Sequence, residues 1–171
     1  MTNEVGRRIV ELLPRLRRFA YALSGDPDNG DDLVQEGCAR AFANIDQWRL
    51  GTRLDSWMYK IIHNIWRDQK RASKVRGVAI DLDSAPELAG EDGRDIVNSR
   101  LTLRRVLDGL ASLPEEQQVL ITLVSIEGHS YEDAAAILGI PGGTATSRLV
   151  RGRRALHAIA IEGTNMSERQ K

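Results

Sequence analysis

SYEDAAAILGIPGGTATSRLVRGRRAL, residues 130–156, is the stretch that decides the fold. Ser130 followed by Glu132 and Asp133 has the composition of a helix start: a hydroxyl that accepts from first-turn amides, then carboxylates that suit the positive end of a helix. The spacing predicts a helix from about Tyr131 to Leu138 that stops at Gly139, which enters the left-handed conformation without strain from a Cβ. Ile140 and Pro141 turn the chain. Gly142-Gly143-Thr144 then opens a second helix that carries Arg148, Arg151, Arg153 and Arg154 and no acid through His157. Ala135, four residues before Gly139, is small where two helices must pass closely. A short helix, a glycine, a tight turn and a basic helix together have helix-turn-helix spacing, with the second helix suited to a DNA major groove. The bland alternative is a helical hairpin with a solvated basic face.

A second basic stretch weighs against that alternative. Between Arg53 and Arg76, seven cations (Arg53, Lys60, Arg67, Lys70, Arg71, Lys74, Arg76) stand against two acids, Asp55 and Asp68, with Trp57, Tyr59 and Trp66 interleaved. Cations contact phosphates and aromatic faces stack on unpaired bases. At helical spacing the competing role for each tryptophan is the core.

Farther upstream, Ile9, Leu12, Leu13, Leu16, Phe19, Ala20 and Leu23 step by three and four, which puts them on one helical face. Pro14 is expected to start a new helix or kink this one. SGDPDNGDD (24–32) is dense in turn formers, and Leu33, Val34, Gly37, Cys38, Ala41, Phe42 and Ile45 make the next stripe, with Asp31 or Asp32 as its expected cap. QWRLGTRLDS (47–56) separates it from a third stripe at Trp57, Ile61, Ile62, Ile65 and Trp66.

Residues 77–98, GVAIDLDSAPELAGEDGRDIVN, hold three glycines, one proline and six acids against Arg94, and read as a linker. Helical spacing resumes at Val97, Leu101, Leu107 and Leu110. It resumes again after Ser112-Leu113-Pro114-Glu115, a helix-start pattern ahead of Val119, Leu120, Leu123 and Val124. With no alternating strand pattern of useful length, the expected class is all-α: two small helical bundles joined by a flexible acidic linker, the second containing the helix-turn-helix. The expected division is 1–76, linker 77–98, 99–160 and a polar tail from 161.

Composition limits what such a chain does. Its 171 residues include 24 Lys+Arg and 24 Asp+Glu, for a formal charge of zero, with 42% hydrophobic and 28% charged residues. This excludes disorder throughout, and the single cysteine, Cys38, excludes an internal disulfide and a paired-thiol zinc site. The charge-studded start MTNEVGRRIVELLPRL fits neither a signal peptide nor a membrane span, so a cytoplasmic chain without membrane insertion is expected. No nucleophile-base pair, phosphate loop or metal spacing stands out, and His129 and His157 lie too far apart for a helical metal pair. The expectation is therefore no catalytic residue, no metal and no cofactor.

The chain resembles a bacterial RNA polymerase sigma factor of the small, extracytoplasmic-function type. DDLVQEGCARAFANIDQWR (31–49) is similar to that family's core-binding helix, and LDSWMYKIIHNIWRDQKR (54–71) to its promoter-melting helix. LPEEQQVLITL and the helix-turn-helix are similar to its promoter-reading domain. The resemblance covers about 10–76 and 99–158 in the family's order, and the short acidic linker stands where housekeeping sigma factors carry an extra middle domain.

What the resemblance implies is specific. Asp31, Asp32, Gln35, Glu36 and Arg40 would dock on core RNA polymerase. The loop Trp48-Arg49-Leu50-Gly51-Thr52-Arg53 would receive a flipped base of the −10 element, with Asn64 and Asp68 touching the same strand and His63 beside them. Thr146, Ser147, Val150 and Arg151 would face −35 bases, with Arg148, Arg153 and Arg154 nearer phosphates. Partners would be core RNA polymerase, promoter DNA and an anti-sigma factor, and the free chain would be a monomer. Gly142, Ala145 and Thr146 depart from the family pattern, which has a branched residue, a valine and a cation there, so the −35 sequence is not transferable. These departures give some footing to a decoy that sequesters an anti-sigma factor, although the intact basic helices oppose it. A stand-alone helix-turn-helix regulator would leave the first lobe unexplained.

Neutrality conceals a segregation. Segment 53–76 is basic by five charges and 144–157 by four, whereas 26–36 and 77–98 are each acidic by five. The basic blocks coincide with the two helices expected to face DNA.

Overall fold

The computed structural model describes residues 2–76 and 93–168, with side-chain detail for 4–76 and 99–161. Among these residues the fold is entirely helical: α1 (Thr2–Ser24), α2 (Pro27–Ala43), α3 (Leu54–Arg76), α4 (Gly93–Ala111), α5 (Glu115–Ile121), α6 (Tyr131–Leu138) and α7 (Gly142–Glu168). The linker expected over 77–98 ends early, because 93–98 already belong to α4; residues 77–92 lie outside the described part.

α1 buries Val5, Ile9, Leu16, Phe19, Ala20 and Leu23, the stripe read from the sequence. It runs unbroken through Pro14, contrary to the expected new start. Pro14 and Val10, whose carbonyl loses its partner to the ring, are both exposed, so the missing hydrogen bond falls on the solvent side of the helix. The cap of α2 is Asp26 rather than Asp31 or Asp32: its extended backbone (φ −138°, ψ 130°) lets Oδ1 accept from the amides of Asp28 at 2.7 Å and Asn29 at 3.0 Å, with Pro27 opening the helix. A 3₁₀ turn, Ile45–Gln47, leads to the loop before α3. α3 buries Leu54, Met58, Tyr59, Ile62, Ile65 and Trp66 against α1 and α2.

In the second lobe, Ser112 does not cap α5. Its hydroxyl donates to the Gly109 carbonyl at 2.7 Å, and the helix starts at Glu115 behind Pro114. α5 then widens into a π turn over Thr122–Ile126, closed by the Glu127 amide on the Thr122 carbonyl at 3.0 Å. α6 starts as its sequence required, with Ser130 Oγ accepting from the Asp133 amide at 3.0 Å. It ends at Gly139 in the left-handed region (φ 67°, ψ 37°), where the Ile140 amide reaches back to the Ala135 carbonyl at 3.0 Å.

The lobes are closed on one another. α1 packs on α4 and on the π turn, α3 packs on α6, and the buried side chains of both lobes form one continuous apolar cluster.

Candidate nucleic-acid interface

α7 is seated by Ala145, Leu149 and Gly152, one residue per turn on its inner face. A Cβ on Gly152 would stand 2.7 Å from Ile121 Cδ1 and 3.2 Å from Gln117 Cβ, so α7 lies on α5 at a distance only glycine allows. The side chains turned away are Thr146, Ser147, Val150, Arg151 and Arg154, all exposed. Arg151 Nε donates to its own-helix carbonyl at Ser147, 3.3 Å away. Arg148 and Arg153 are employed differently. Arg148 pairs with Glu116 at 2.8 Å, and Arg153 donates to the Tyr131 hydroxyl at 2.7 Å with its guanidinium over that ring. They brace α7 against α5 and α6, on the flanks of the outward face.

The first lobe presents α3 and the loop before it. In that loop Thr52 closes a tight turn, its amide and hydroxyl both donating to the Arg49 carbonyl at 3.1 and 2.7 Å. Arg49, Leu50, Gly51 and Thr52 are exposed, Leu50 most of all at 70%. Trp48 is buried beneath the Arg8 guanidinium, and its indole Nε1 has no hydrogen-bond partner. On α3, Asp68 is exposed and Asn64 half-buried one turn away. Tyr59 and Trp66 are core residues, and Trp57 is half-buried, so none of the three is a free stacking platform. Lys70 sits 4.8 Å over the Trp66 ring, and burial lowers its pKa. His63 is held at about 4, by burial first and by the nearby Arg67 second.

The acidic edge of α2 is open: Asp31, Asp32, Gln35 and Arg40 are exposed. Glu36 is half-buried, paired with Arg40 and accepting from Gln69 Nε2 at 3.4 Å, while Arg17 pairs with Asp31 at 3.1 Å.

Arg53, the last residue of the loop, is drawn across the lobe boundary. Nη1 donates to Asp133 Oδ2 at 2.8 Å, and Nε and Nη2 hold Asp55 at 3.2 and 2.9 Å. Burial pushes the Asp55 carboxyl up, but the hydrogen bonds from Arg53 and the Ser56 amide outweigh it and the net shift is downward. Arg53 Nη2 also lies 3.4 Å from His129 Nδ1. A guanidinium only donates, so the His129 ring accepts there and keeps its proton on Nε2. Burial, then the charges of Arg53 and Arg15, keep that ring's pKa low.

Beside it lies a cluster that the sequence reading passed over. The Glu127 side chain, fully buried, accepts from Tyr59 Oη at 2.7 Å, from Arg18 Nε and Nη2 at 2.8 and 3.0 Å, and pairs with Arg15 Nε at 3.4 Å. Burial and the Glu127 carboxylate both push the Tyr59 hydroxyl pKa upward. A lone Glu between a π turn and a glycine has no local signature, and its partners lie 68 to 112 residues away.

Among the described residues no group of His, Cys, Asp and Glu is placed to hold a metal ion, and no helix is long and apolar enough to cross a membrane.

Comparison with known proteins matches the two lobes separately. Residues 9–76 match the family model for sigma-70 region 2, and residues 103–156 that for sigma-70 region 4. The ECF RNA polymerase sigma factor EcfG of Rhodopseudomonas palustris is 37% identical over 159 residues, 93% of this chain and 86% of the relative. Among solved structures, the sigma factor RpoE in complex with the anti-sigma factor NepR from Bartonella quintana superposes with a TM-score of 0.75 at 33% identity, over 92% of this chain and 96% of that one. CnrH, solved with the cytosolic domain of CnrY, shares the fold at a TM-score of 0.71 and 22% identity, over 95% and 90% of the two chains. Two regions in the family's order, with a relative this similar along nearly its whole length, settle the family: the chain belongs to the ECF sigma factors of bacterial RNA polymerase.

Proposed function

We propose that this chain is a dissociable subunit that docks on core RNA polymerase through the acidic edge of α2, opens the −10 element with the loop 48–53 and α3, and reads the −35 element with α7. The observation that carries this reading is the outward face of α7: three turns with exposed hydroxyls, an exposed valine and two outward arginines, and no acid. Hydroxyls and an arginine fork match base edges in a major groove, and a bidentate arginine-guanine contact is worth about 1–3 kcal/mol. In the −10 region, Arg49, Leu50, Gly51 and Thr52 supply an exposed turn for an extruded base, with Asn64 and Asp68 along the strand; Trp48 supports that turn from beneath. Unstacking a base costs a few kcal/mol, recoverable through pocket contacts. Arg148 and Arg153 act on DNA binding by holding α7 in place, and Arg154 carries the phosphate contact.

The chain works without a catalytic site of its own, in the cytoplasm where polymerase is. Because RpoE, similar over nearly its whole length, was solved with an anti-sigma factor, an anti-sigma partner is proposed here as well. Run-off transcription with core polymerase over a library of promoter fragments tests the reading. Transcripts that depend on this chain support it. Anti-sigma binding without any transcript would point to a decoy, and duplex binding without polymerase to a stand-alone regulator.

A further inference from the structure

The outward face of α7 offers two hydroxyls, and the proton of each is already committed. Thr146 Oγ1 donates to the Gly142 carbonyl and Ser147 Oγ to the Thr144 carbonyl, each at 3.0 Å. A hydroxyl carries one proton and two lone pairs. With the proton turned back along the helix, what each exposed oxygen holds out to a groove is an acceptor. Arg151, one turn on from Ser147, has the opposite polarity. Its Nε donates to the Ser147 carbonyl at 3.3 Å, which lays the guanidinium back toward Ser147 and leaves its outer N–H groups as donors. Ala145 and Leu149, both buried, fix the rotation of the helix that turns these three side chains outward together.

A major groove distinguishes these polarities. Adenine N6 and cytosine N4 are its amino donors, whereas guanine O6, thymine O4 and the purine N7 atoms accept. To meet a keto oxygen, Thr146 or Ser147 must withdraw its proton from the helix carbonyl, exchanging one hydrogen bond for another. To meet an amino group it keeps the helical bond and gains a second. Every base pair carries one amino base and one keto base, so the choice concerns which strand holds the amino group.

We propose that Thr146 and Ser147 are specificity-determining acceptors, which select a −35 element with adenine or cytosine at two positions of the contacted strand. The selection is about fivefold per position, the factor that one additional neutral hydrogen bond supplies. Thr146 stands where this chain departs from the family pattern, so the preference belongs to the chain's own face. The proposal rests on the −35-reading role of α7 given above and adds to it the chemical class of the bases read.

The experiment uses holoenzyme assembled from core RNA polymerase and the full chain. Binding is measured on promoter duplexes randomised over the −35 element, for the parent, Thr146→Val, Ser147→Ala and Arg151→Ala. Valine keeps the branched shape of Thr146 without its hydroxyl. The parent is expected to favour adenine or cytosine over guanine or thymine about fivefold at two positions. Thr146→Val loses that preference at one of them and Ser147→Ala at the other, with the rest of the profile unchanged. Base analogues fix the direction of the bond. At the position lost in Thr146→Val, purine in place of adenine, or pyrimidin-2-one in place of cytosine, removes the amino group. Either analogue should weaken the parent about fivefold and Thr146→Val not at all, while 7-deazaadenine, which lacks N7, binds as adenine does. A preference for guanine or thymine at those positions, or sensitivity to the loss of N7 instead of the amino group, would overturn the acceptor role. So would a profile that Arg151→Ala changes and neither hydroxyl substitution does, which leaves the −35 reading standing. A profile that none of the three substitutions changes would sink the −35 reading and the proposal with it.

Discussion

Arginines on one helix divide by what their neighbours offer. Arg148 and Arg153 are claimed by Glu116 and Tyr131, whereas Arg151 and Arg154 face outward. Arg151→Ala is therefore expected to change −35 base preference, while Arg154→Ala weakens binding evenly across sequences and lowers the salt slope by about one; binding measured on a −35 library at two salt concentrations separates them. Equal loss on every sequence for Arg151→Ala would count against its base-reading role. His63 offers a second test at this scale. Its folded pKa of about 4 lies below the ordinary value near 6.5, so the unfolded chain takes up a proton first as pH falls. The stability that neutral His63 permits is whole above about pH 6.5 and is lost as pH falls toward 4. His63→Gln should flatten that part of the stability curve, measured by urea unfolding at pH 7, 6 and 5; an unchanged slope would mean the ring is hydrated. The sequence offered His63 only as a neighbour of Asn64 and Asp68, because burial is not a property of an isolated position.

Helices show where local chemistry sufficed and where it did not. The start and stop of α6 were fully legible: Ser130 and Gly139 act within a few residues of themselves, and local rules govern such contacts. The cap of α2 was misplaced by five or six residues because four acids crowd its start, and backbone geometry, not composition, selects Asp26 among them. The start of α5 was likewise open to two readings, and Ser112 bonds backward instead. Close approach of α7 to α5 through Gly152 had no sequence signal at all. Gly152→Ala would ordinarily gain about 1 kcal/mol of helix propensity. Here the added Cβ meets Ile121 Cδ1 at 2.7 Å, so a net loss of about 1–2 kcal/mol is expected with a shifted recognition helix. Ile121→Val deletes that atom, and the double substitution should recover most of the loss. Strict additivity in thermal melts would show that the two side chains do not meet.

At the scale of the whole molecule, both lobes share one apolar cluster and are pinned by side chains that bridge a hundred residues of sequence. The closed chain should therefore melt in a single calorimetric transition. Gln118→Ala removes the donor to the last carbonyls of α1, which are then left without a partner. A cost of about 1–2 kcal/mol follows, or roughly 3–6 °C for a chain of this size, with the transition broadening or splitting as the lobes uncouple. A single transition at the parent temperature would show that water replaces Gln118 without loss.

The sequence by itself determined the helical class, the helix-turn-helix, the two basic helices, the acidic edge ahead of them and the family. Each of these is written in residues close together along the chain: a 3.6-residue period, a capping hydroxyl, a glycine past a helix end, a run of cations. Only the tertiary structure decided which tryptophans are core, which arginines brace and which face outward, and that Glu127, unmarked in its own segment, is where the lobes meet. Burial, desolvation and charge pairing depend on what the rest of the chain brings to a position, and groups about a hundred residues apart meet only once both lobes have folded.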